Sequence, residues 1–156
     1  MKPVALVFAA LLSAAALPSP VQAQDDTTAE ITATVDRFFA GLKARDAAAM
    51  KAEMTEEGFV RIMLHLPERS GMQTRSFAET ADHLAASKEE LNEVYWDPTI
   101  LVHRDMAVLW APYSFDEDGK RTHCGIDVFD LMKHQGKWTI VSVMFTIEPD
   151  GCPPGR

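Results

Sequence analysis

The sequence predicts an α+β fold, in which helices fill the first half of the chain and a mostly antiparallel sheet fills the second half. Helix-capping signals and helical hydrophobic spacing dominate up to about residue 92, and strand-like runs with turn signals dominate after it. Helices followed by hairpin-linked strands are typical of this class, whereas alternating strands and helices predict a parallel sheet. No internal repeat or low-complexity linker interrupts the chain, so we expect one domain.

Two helices are predicted at the start of this domain. Thr27 and Glu30 have capping-box spacing, in which each side chain satisfies a free backbone N–H of the first turn. An apolar stripe at helical period follows, formed by Ile31, Val35, Phe38 and Leu42. Asp46 is then placed as the N-cap of a short second helix over residues 47–54.

The next segment predicts a strand, a loop and a third helix. Residues 59–64 form a buried apolar run that is typical of a strand, and residues 67–74 are rich in Pro, Gly and Ser. Ser76 and Glu79 form a second capping box, and the helix that they open is expected to end near Asn92.

A series of strand-like runs is predicted after the third helix. The first two cover residues 94–96 and 100–102, and the third begins at Met106 and reaches Phe115. A turn signal at residues 134–137 separates the last two strands, over residues 122–133 and 138–147, which are predicted to form a hairpin.

The N-terminus has the pattern of a secretory signal peptide. A positively charged start precedes about 14 mostly apolar residues and the small-residue site Val21-Gln22-Ala23, so cleavage after Ala23 is expected. The apolar run is shorter than the roughly 20 residues that span a bilayer, although a membrane anchor is the alternative. The expected organisation is a signal peptide over residues 1–23, a domain over 24–152 and a tail over 153–156. The protein is therefore predicted to be periplasmic or secreted, with no membrane association after cleavage.

The charge of the chain excludes one class of partner. The net charge of −8 becomes −9 when the signal peptide removes one Lys, and no cluster of Arg and Lys offsets it. Because an acidic protein repels phosphate backbones, no nucleic-acid partner is expected.

The two cysteines of the chain, Cys124 and Cys152, favour one disulfide. An even count in an oxidising compartment supports pairing, and the hairpin brings Cys124 near Ile147, from which the tail has only to curl back. The alternative is a pair of free thiols, with Cys124 a small buried side chain.

Motifs for metals and cofactors are missing from the sequence. The histidines have no metal-ligand spacing, and no HExxH, nucleophile elbow, phosphate-binding loop or dinucleotide fingerprint occurs. We therefore expect neither a metal nor a cofactor.

The motifs TVDRFFAGLKARDAAAM, GIDVFDLMK and KWTIVSVMF, together with the order of elements, resemble the nuclear transport factor 2-like superfamily in its SnoaL-like and DUF4440-like bacterial branch. The resemblance covers roughly residues 28–148. It implies a cone-shaped, cystatin-like fold, in which a strongly curved sheet wraps about three helices and a pocket opens between them. It also implies a homodimer through the outer face of the sheet. The superfamily includes isomerases, dehydratases, hydrolases, cyclases and non-enzymatic binding domains, so the fold does not select the chemistry.

The resemblance to ketosteroid isomerases extends to one catalytic position. Asp127 matches the aspartic acid that donates a hydrogen bond to an enolate oxygen. Phe38 stands where that pattern has a tyrosine, and Ile62 stands at about the place of the general base, so neither can supply the required group. This argues against steroid isomerase chemistry and leaves the enzymatic status undecided, leaning towards a protein without catalysis.

His123 and Asp127 lie four residues apart on one predicted strand and therefore face the same side. Both could line a pocket and act as catalytic groups, with His123 as the base. Alternatively, His123 lies in solvent at the sheet edge, and Asp127 caps a backbone group or faces a dimer partner. A buried, unpaired carboxylate is costly, so Asp127 needs a partner or a proton.

The ligand pocket is predicted to be walled by large apolar side chains, with simple core packing as the alternative reading. The residues are Phe38, Ile62, Trp96, Trp110 and Tyr113. Two functions follow: a domain that binds a small apolar or amphipathic molecule without catalysis, or a hydratase, isomerase or cyclase that uses Asp127 and His123.

Overall fold

The computed structural model of the protein describes residues 20–153, with side chains from residue 24 onward. The predicted signal peptide lies outside this range apart from the backbone of its last four residues, and so does the end of the predicted tail. Ten elements follow in the order α1 Pro20–Ala44, α2 Ala47–Ala52, β1 Met54–Leu66, β2 Arg69–Ser76, α3 Phe77–Ala85, β3 Leu91–Tyr95, β4 Thr99–His103, β5 Met106–Glu117, β6 Lys120–His134 and β7 Lys137–Ile147.

The helices begin where their caps predict in two cases of three. The Asp46 side chain accepts hydrogen bonds from the backbone N–H groups of Ala48 and Ala49 and so starts α2. Ser76 and Glu79 form the complete capping box of α3. The predicted box at Thr27 is not a helix start, because α1 already begins at Pro20 and runs through it.

Seven strands form one curved sheet in the order β2-β1-β7-β6-β5-β3, with β4 also paired to β5. All pairs are antiparallel except β1 with β7, which is parallel. The fold is therefore α+β with a mostly antiparallel sheet, as the sequence predicts.

Two segments differ from the sequence-based expectation. The polar stretch expected to be a loop at residues 67–74 is mostly strand β2, which pairs along its whole length with β1. The third helix ends at Ala85 instead of near Asn92, because β3 starts at Leu91 and pairs with β5. In both places a tertiary strand pairing overrides weak local propensity.

The β6–β7 hairpin turns through Gln135 and Gly136, whose φ angles of 51° and 81° fit a two-residue turn with both central residues left-handed. The register shifts between Asp130 and Leu131, which leaves an extra residue in β7. As a result Cys124 pairs with Glu148 rather than with Ile147.

The core lies between the helices and the inner face of the sheet. Residues of α1 such as Ile31, Val35 and Leu42 pack there against Leu109, Leu131 and Ile140 of the strands. A buried acid also joins the layers, since Glu53 pairs with Arg37 of α1 at 2.9 Å while its carbonyl accepts from the N–H of Ile140. Within residues 20–153, no helix has the length and hydrophobicity to cross a bilayer.

Candidate functional site

A cavity of about 240 Å³ opens between the helices and the inner face of the sheet. Most of its wall is apolar and comes from α1 and from the central strands, which is typical of small-molecule pockets. The apolar and aromatic lining consists of Phe38, Phe39, Leu42, Val60, Ile62, Leu64, Leu84, Tyr113, Phe115, Phe129, Val143, Phe145 and Ile147.

Strand β6 delivers two polar side chains to this cavity. His123 and Asp127 lie on the inner face of β6, and both line the cavity. Between them, Gly125 lies so close to β7 that an added Cβ would be 2.3 Å from the backbone oxygen of Thr146. Glycine is therefore required at this position for the two strands to approach.

Asp127 is 2% exposed and lies beside a second acid, Glu93 of β3. The two carboxyl groups hydrogen-bond to each other. The carboxyl group of Glu93 is buried, although the residue as a whole keeps some exposed surface. Strand β5 separates β3 from β6 in the sheet, so the pair forms only because the sheet curves.

Burial raises the pKa of both acids. The pKa of Glu93 rises to about 8, chiefly because its charged form loses solvation, while the hydrogen bond with Asp127 acts in the opposite direction. The pKa of Asp127 lies well above its usual value for the same first reason, with the neighbouring charge of Glu93 adding to it. Two adjacent buried carboxylates cannot both be charged at low cost, so the pair holds at least one proton near neutral pH.

The proton is also required by hydrogen bonding. In residues 20–153, no backbone or side-chain donor reaches the buried Oδ2 of Asp127. A buried acceptor without a donor costs about 1–3 kcal/mol. The hydrogen has to come from a protonated carboxyl of the pair or from a bound molecule, which makes Asp127 a polar anchor in an apolar cavity.

Tyr113 places a phenol near this pair, but its hydroxyl is already used. The hydroxyl donates a 2.6 Å hydrogen bond to the backbone oxygen of Thr146, on the far side of Gly125. Burial, with the nearby charges of Glu93 and Asp127, raises the pKa of Tyr113. The phenol therefore stays neutral and can still accept a hydrogen bond from a ligand.

His123 is held as a neutral imidazole. It stacks on Phe115 with ring centroids 4.9 Å apart, and its Nδ1 lies 2.9 Å from the hydroxyl oxygen of Thr122. Burial lowers the pKa of His123 to about 4. The alternative that placed this side chain in solvent at the sheet edge is wrong, because the ring is half-buried and lines the cavity.

The predicted pocket residues divide into two groups. Phe38, Ile62 and Tyr113 line the cavity, whereas Trp96 and Trp110 do not. Trp110 is 43% exposed, because it alternates with the inward-facing Leu109 and Ala111 and so points to the outer face of the sheet. The prediction for Trp110 was wrong because aromatic character alone does not tell which face of a strand is buried, and the prediction for Trp96 was wrong because this residue follows the end of β3 and lies outside the cavity wall.

Two sets of lining residues were missed in the sequence. Glu93 fell between the predicted helix end near Asn92 and the predicted strand over residues 94–96, although the alternation of Leu91, Glu93 and Tyr95 on one face indicates a strand with an inward acid. Arg69 and Gln73 were assigned to a loop and Arg75 to no element, although all three alternate along one strand face.

The predicted disulfide between Cys124 and Cys152 is confirmed and joins β6 to the segment after β7. Among residues 20–153, no group of three or more His, Cys, Asp or Glu side chains is arranged to hold a metal ion.

A curved sheet around helices, with a cavity between them, is a cystatin-like, NTF2-like fold, and the acid pair gives this cavity a polar floor. The chain belongs to the family described as putative lumazine-binding, whose model matches residues 26–146.

Solved structures agree with this fold at low sequence identity. A protein of unknown function from Mycobacterium tuberculosis is 18% identical, with a TM-score of 0.67 over 86% of this chain and 82% of that one. A putative dehydratase of the NTF2-like family from Streptomyces avermitilis is 12% identical, with a TM-score of 0.65 over 80% and 97%. An NTF2-like protein with a cystatin-like fold from Novosphingobium aromaticivorans is 13% identical, with a TM-score of 0.64 over 88% and 94%. A comparison with proteins of curated function found no significant match.

Proposed function

We propose that this protein binds a small apolar or amphipathic molecule in the cavity, with a polar group of the ligand on the Glu93–Asp127 pair. The observation that carries the proposal is a buried Asp127 carboxyl without a protein donor other than its partner acid, in a cavity whose wall is otherwise mostly apolar. The family description, putative lumazine-binding, supports a small-molecule ligand of this kind.

The test is to identify what the protein carries. The full chain is expressed with its N-terminal segment, purified, and denatured, and the released small molecules are analysed by mass spectrometry. We expect a recurring compound in the wild type that is depleted in D127N, which keeps the shape of the side chain but cannot share a proton with Glu93. Absence of any such compound, together with no thermal shift across a library of small amphipathic molecules, would contradict the proposal.

A second candidate function is acid–base catalysis on the bound molecule, and the Glu93–Asp127 pair is the observation that favours it. A pair that shares one proton can donate to a carbonyl oxygen through one carboxyl and accept a proton through the other. His123, held neutral, is a further acceptor in the same cavity. This chemistry fits proton transfer next to a carbonyl, or hydration and dehydration.

Catalysis is tested by deuterium incorporation. Small cyclic ketones are incubated with the protein in D₂O, and exchange of the protons next to the carbonyl is followed by NMR. Enhanced exchange in the wild type that falls at least tenfold in both E93Q and D127N supports this function. Exchange equal to that of the buffer, for all ketones tested, contradicts it.

The localisation and the assembly state complete the proposal. Export to an oxidising compartment is supported by the signal-peptide pattern of residues 1–23 and by the Cys124–Cys152 disulfide. A homodimer through the outer sheet face is supported by exposed apolar side chains, among them Trp110 of β5 and Met144 of β7, which flank the half-buried Val128 of β6 on one row. Closer kinship with the SnoaL-like and DUF4440-like branch also remains a prediction.

A further inference from the structure

Strand β2 presents a polar inner face to a cavity that is otherwise mostly apolar. Arg69, Gln73 and Arg75 alternate along this strand, and all three line the cavity. Their partners on β1 are Leu66, Ile62 and Val60, which occupy the inner face of that strand. The polarity therefore changes abruptly at the edge of the sheet.

The two guanidinium groups are available to a ligand. Within the described residues, neither Arg69 nor Arg75 forms an ion pair, although Arg75 is near enough to Glu79 for their opposite charges to attract each other. Arg69 is exposed and Arg75 is half-buried, so they stand at the mouth of the cavity. The chain has a net charge of −8, so the two unpaired arginines beside the pocket make a local positive region on an acidic protein.

The arginines and the acid pair occupy opposite sides of the cavity wall. Gln73, Ile62, Phe145 and Asp127 follow one another on a single row across β2, β1, β7 and β6. Three strand spacings of about 4.8 Å place the backbones of Gln73 and Asp127 on the order of 14 Å apart, less the curvature of the sheet. Arg75 lies one inward position further along, beside Val60. With both side chains reaching inward, a molecule of two fused rings spans the gap.

We propose that the cavity selects a small organic anion, an aromatic or alicyclic carboxylic acid whose carboxylate binds at the arginine edge of β2, on Arg75 or on Arg69, while a neutral carbonyl or hydroxyl group reaches the Glu93–Asp127 pair. This inference rests on the proposed function, since it names the ligand class of the same cavity. Arginine suits this role because its planar fork matches a carboxylate in a bidentate manner.

The charge pattern also fixes the orientation of the ligand. An anionic group placed against Glu93 and Asp127 would be repelled by any negative charge on the pair, so the acid end of the ligand faces the mouth of the cavity. The remaining titratable groups on the lining are His83, Tyr113, Glu117 and His123. Glu117 lies on β5, three strands beyond β1 in the sheet, and does not interrupt the arginine edge.

The test compares 2-naphthoate with 2-naphthamide, which share a ring system and differ in charge. Binding to the oxidised full chain is measured by isothermal titration calorimetry at low and high salt. We expect the wild type to bind naphthoate at least tenfold more tightly than naphthamide at low salt. The R69A/R75A variant should lose this preference while its affinity for naphthamide stays the same. R61A is the matched control, because Arg61 lies on the outer face of β1 over the ring of Phe59 and does not line the cavity.

A charge-reversal variant separates electrostatics from damage to the strand. In R69E/R75E, binding of naphthoate should be lost and 2-naphthylmethylammonium should bind instead, with far-ultraviolet circular dichroism unchanged. If both naphthyl compounds bind the wild type equally and R69A/R75A changes neither, the anion inference is overturned while the pocket function stands. If neither compound binds any form of the protein, the inference falls together with the proposed pocket.

Discussion

At the scale of single residues, the chemistry of this protein is concentrated in Asp127 and its partner Glu93. The sequence indicates that Asp127 is an acid among apolar neighbours and therefore needs a partner or a proton. The structure supplies both, since a second buried carboxyl lies beside it and burial raises the pKa of each acid. The tyrosine and the general base of the steroid isomerase pattern have no chemical equivalent at these positions, because Phe38 and Ile62 contribute only apolar surface to the cavity.

The raised pKa values predict an unusual dependence of stability on pH. The folded state keeps a proton on Glu93 up to about pH 8, whereas the unfolded chain releases it near 4.5, so stability falls as pH rises between these values. Burial lowers the pKa of His123 to about 4, so this group makes stability rise with pH, but only below about pH 6.5. Between pH 6.5 and 8 we expect the free energy of unfolding to fall by about 1.4 kcal/mol per pH unit for each proton that the pair keeps in the folded state and loses in the unfolded chain.

Denaturant unfolding of the double variant E93Q/D127N checks this dependence. Its stability should be nearly independent of pH between 6.5 and 8, because neither amide titrates, while the control E56Q on the exposed start of β1 keeps the slope of the wild type. A double variant that retains the full slope would show that the carboxyl pair is not its source.

At the scale of elements, the β6–β7 hairpin holds the site and is fixed at both ends. Its turn is a tight two-residue turn, and the other end is closed by the disulfide between Cys124 and Cys152. Between these ends, the extra residue of β7 sets the register in which Phe145 pairs with Asp127. A slip of one residue would exchange the inner and outer faces of β7.

Removal of the disulfide is expected to destabilise the fold. The bridge closes a loop with a sequence separation of 28, for which the loop-entropy model gives about 3.6 kcal/mol. C124S/C152S should lose roughly this free energy of unfolding in urea. Addition of dithiothreitol should lower the stability of the wild type and leave the double variant unchanged; an equal response of both would contradict the prediction.

Gly125 is a second element-scale requirement. G125A would put a methyl group 2.3 Å from the backbone oxygen of Thr146, so the strands must separate next to the site. We expect a loss of about 1–3 kcal/mol from this overpacking, together with weaker ligand binding. The control A33G in α1 should cost less, about 1 kcal/mol, and leave binding unchanged. Thermal melts and calorimetry measure both; a G125A protein as stable as the wild type would contradict the close approach.

At the scale of the whole molecule, the curved sheet has two faces with different roles. The inner face packs against the helices and forms the cavity. The outer face exposes large apolar side chains, chiefly Leu101, Met106, Trp110, Met132 and Met144. Monomeric proteins rarely leave so many large apolar side chains uncovered on one face, and a second copy of the chain is the proposed cover.

The proposed dimer is tested by introducing a charged residue at the centre of that outer face. M144K should shift the protein from dimer to monomer in light scattering at micromolar concentration, because a lysine would be buried without a partner at the interface. A78K, on the exposed side of α3, is the control and should leave the mass unchanged. A wild type that is monomeric at this concentration would reject the interface.

The sequence by itself determined the class of fold, the caps of α2 and α3, the final hairpin and the pairing of the two cysteines. These features follow from local periodicity, capping chemistry and a single short-range pairing, all of which are written in neighbouring residues. Only the tertiary structure decided that β2 is a strand, that Trp110 faces outward and that Glu93 meets Asp127. These depend on which strands pair and how far the sheet curves. Glu93 and Asp127 lie on strands that are not even neighbours in the sheet, and no local pattern encodes such a contact.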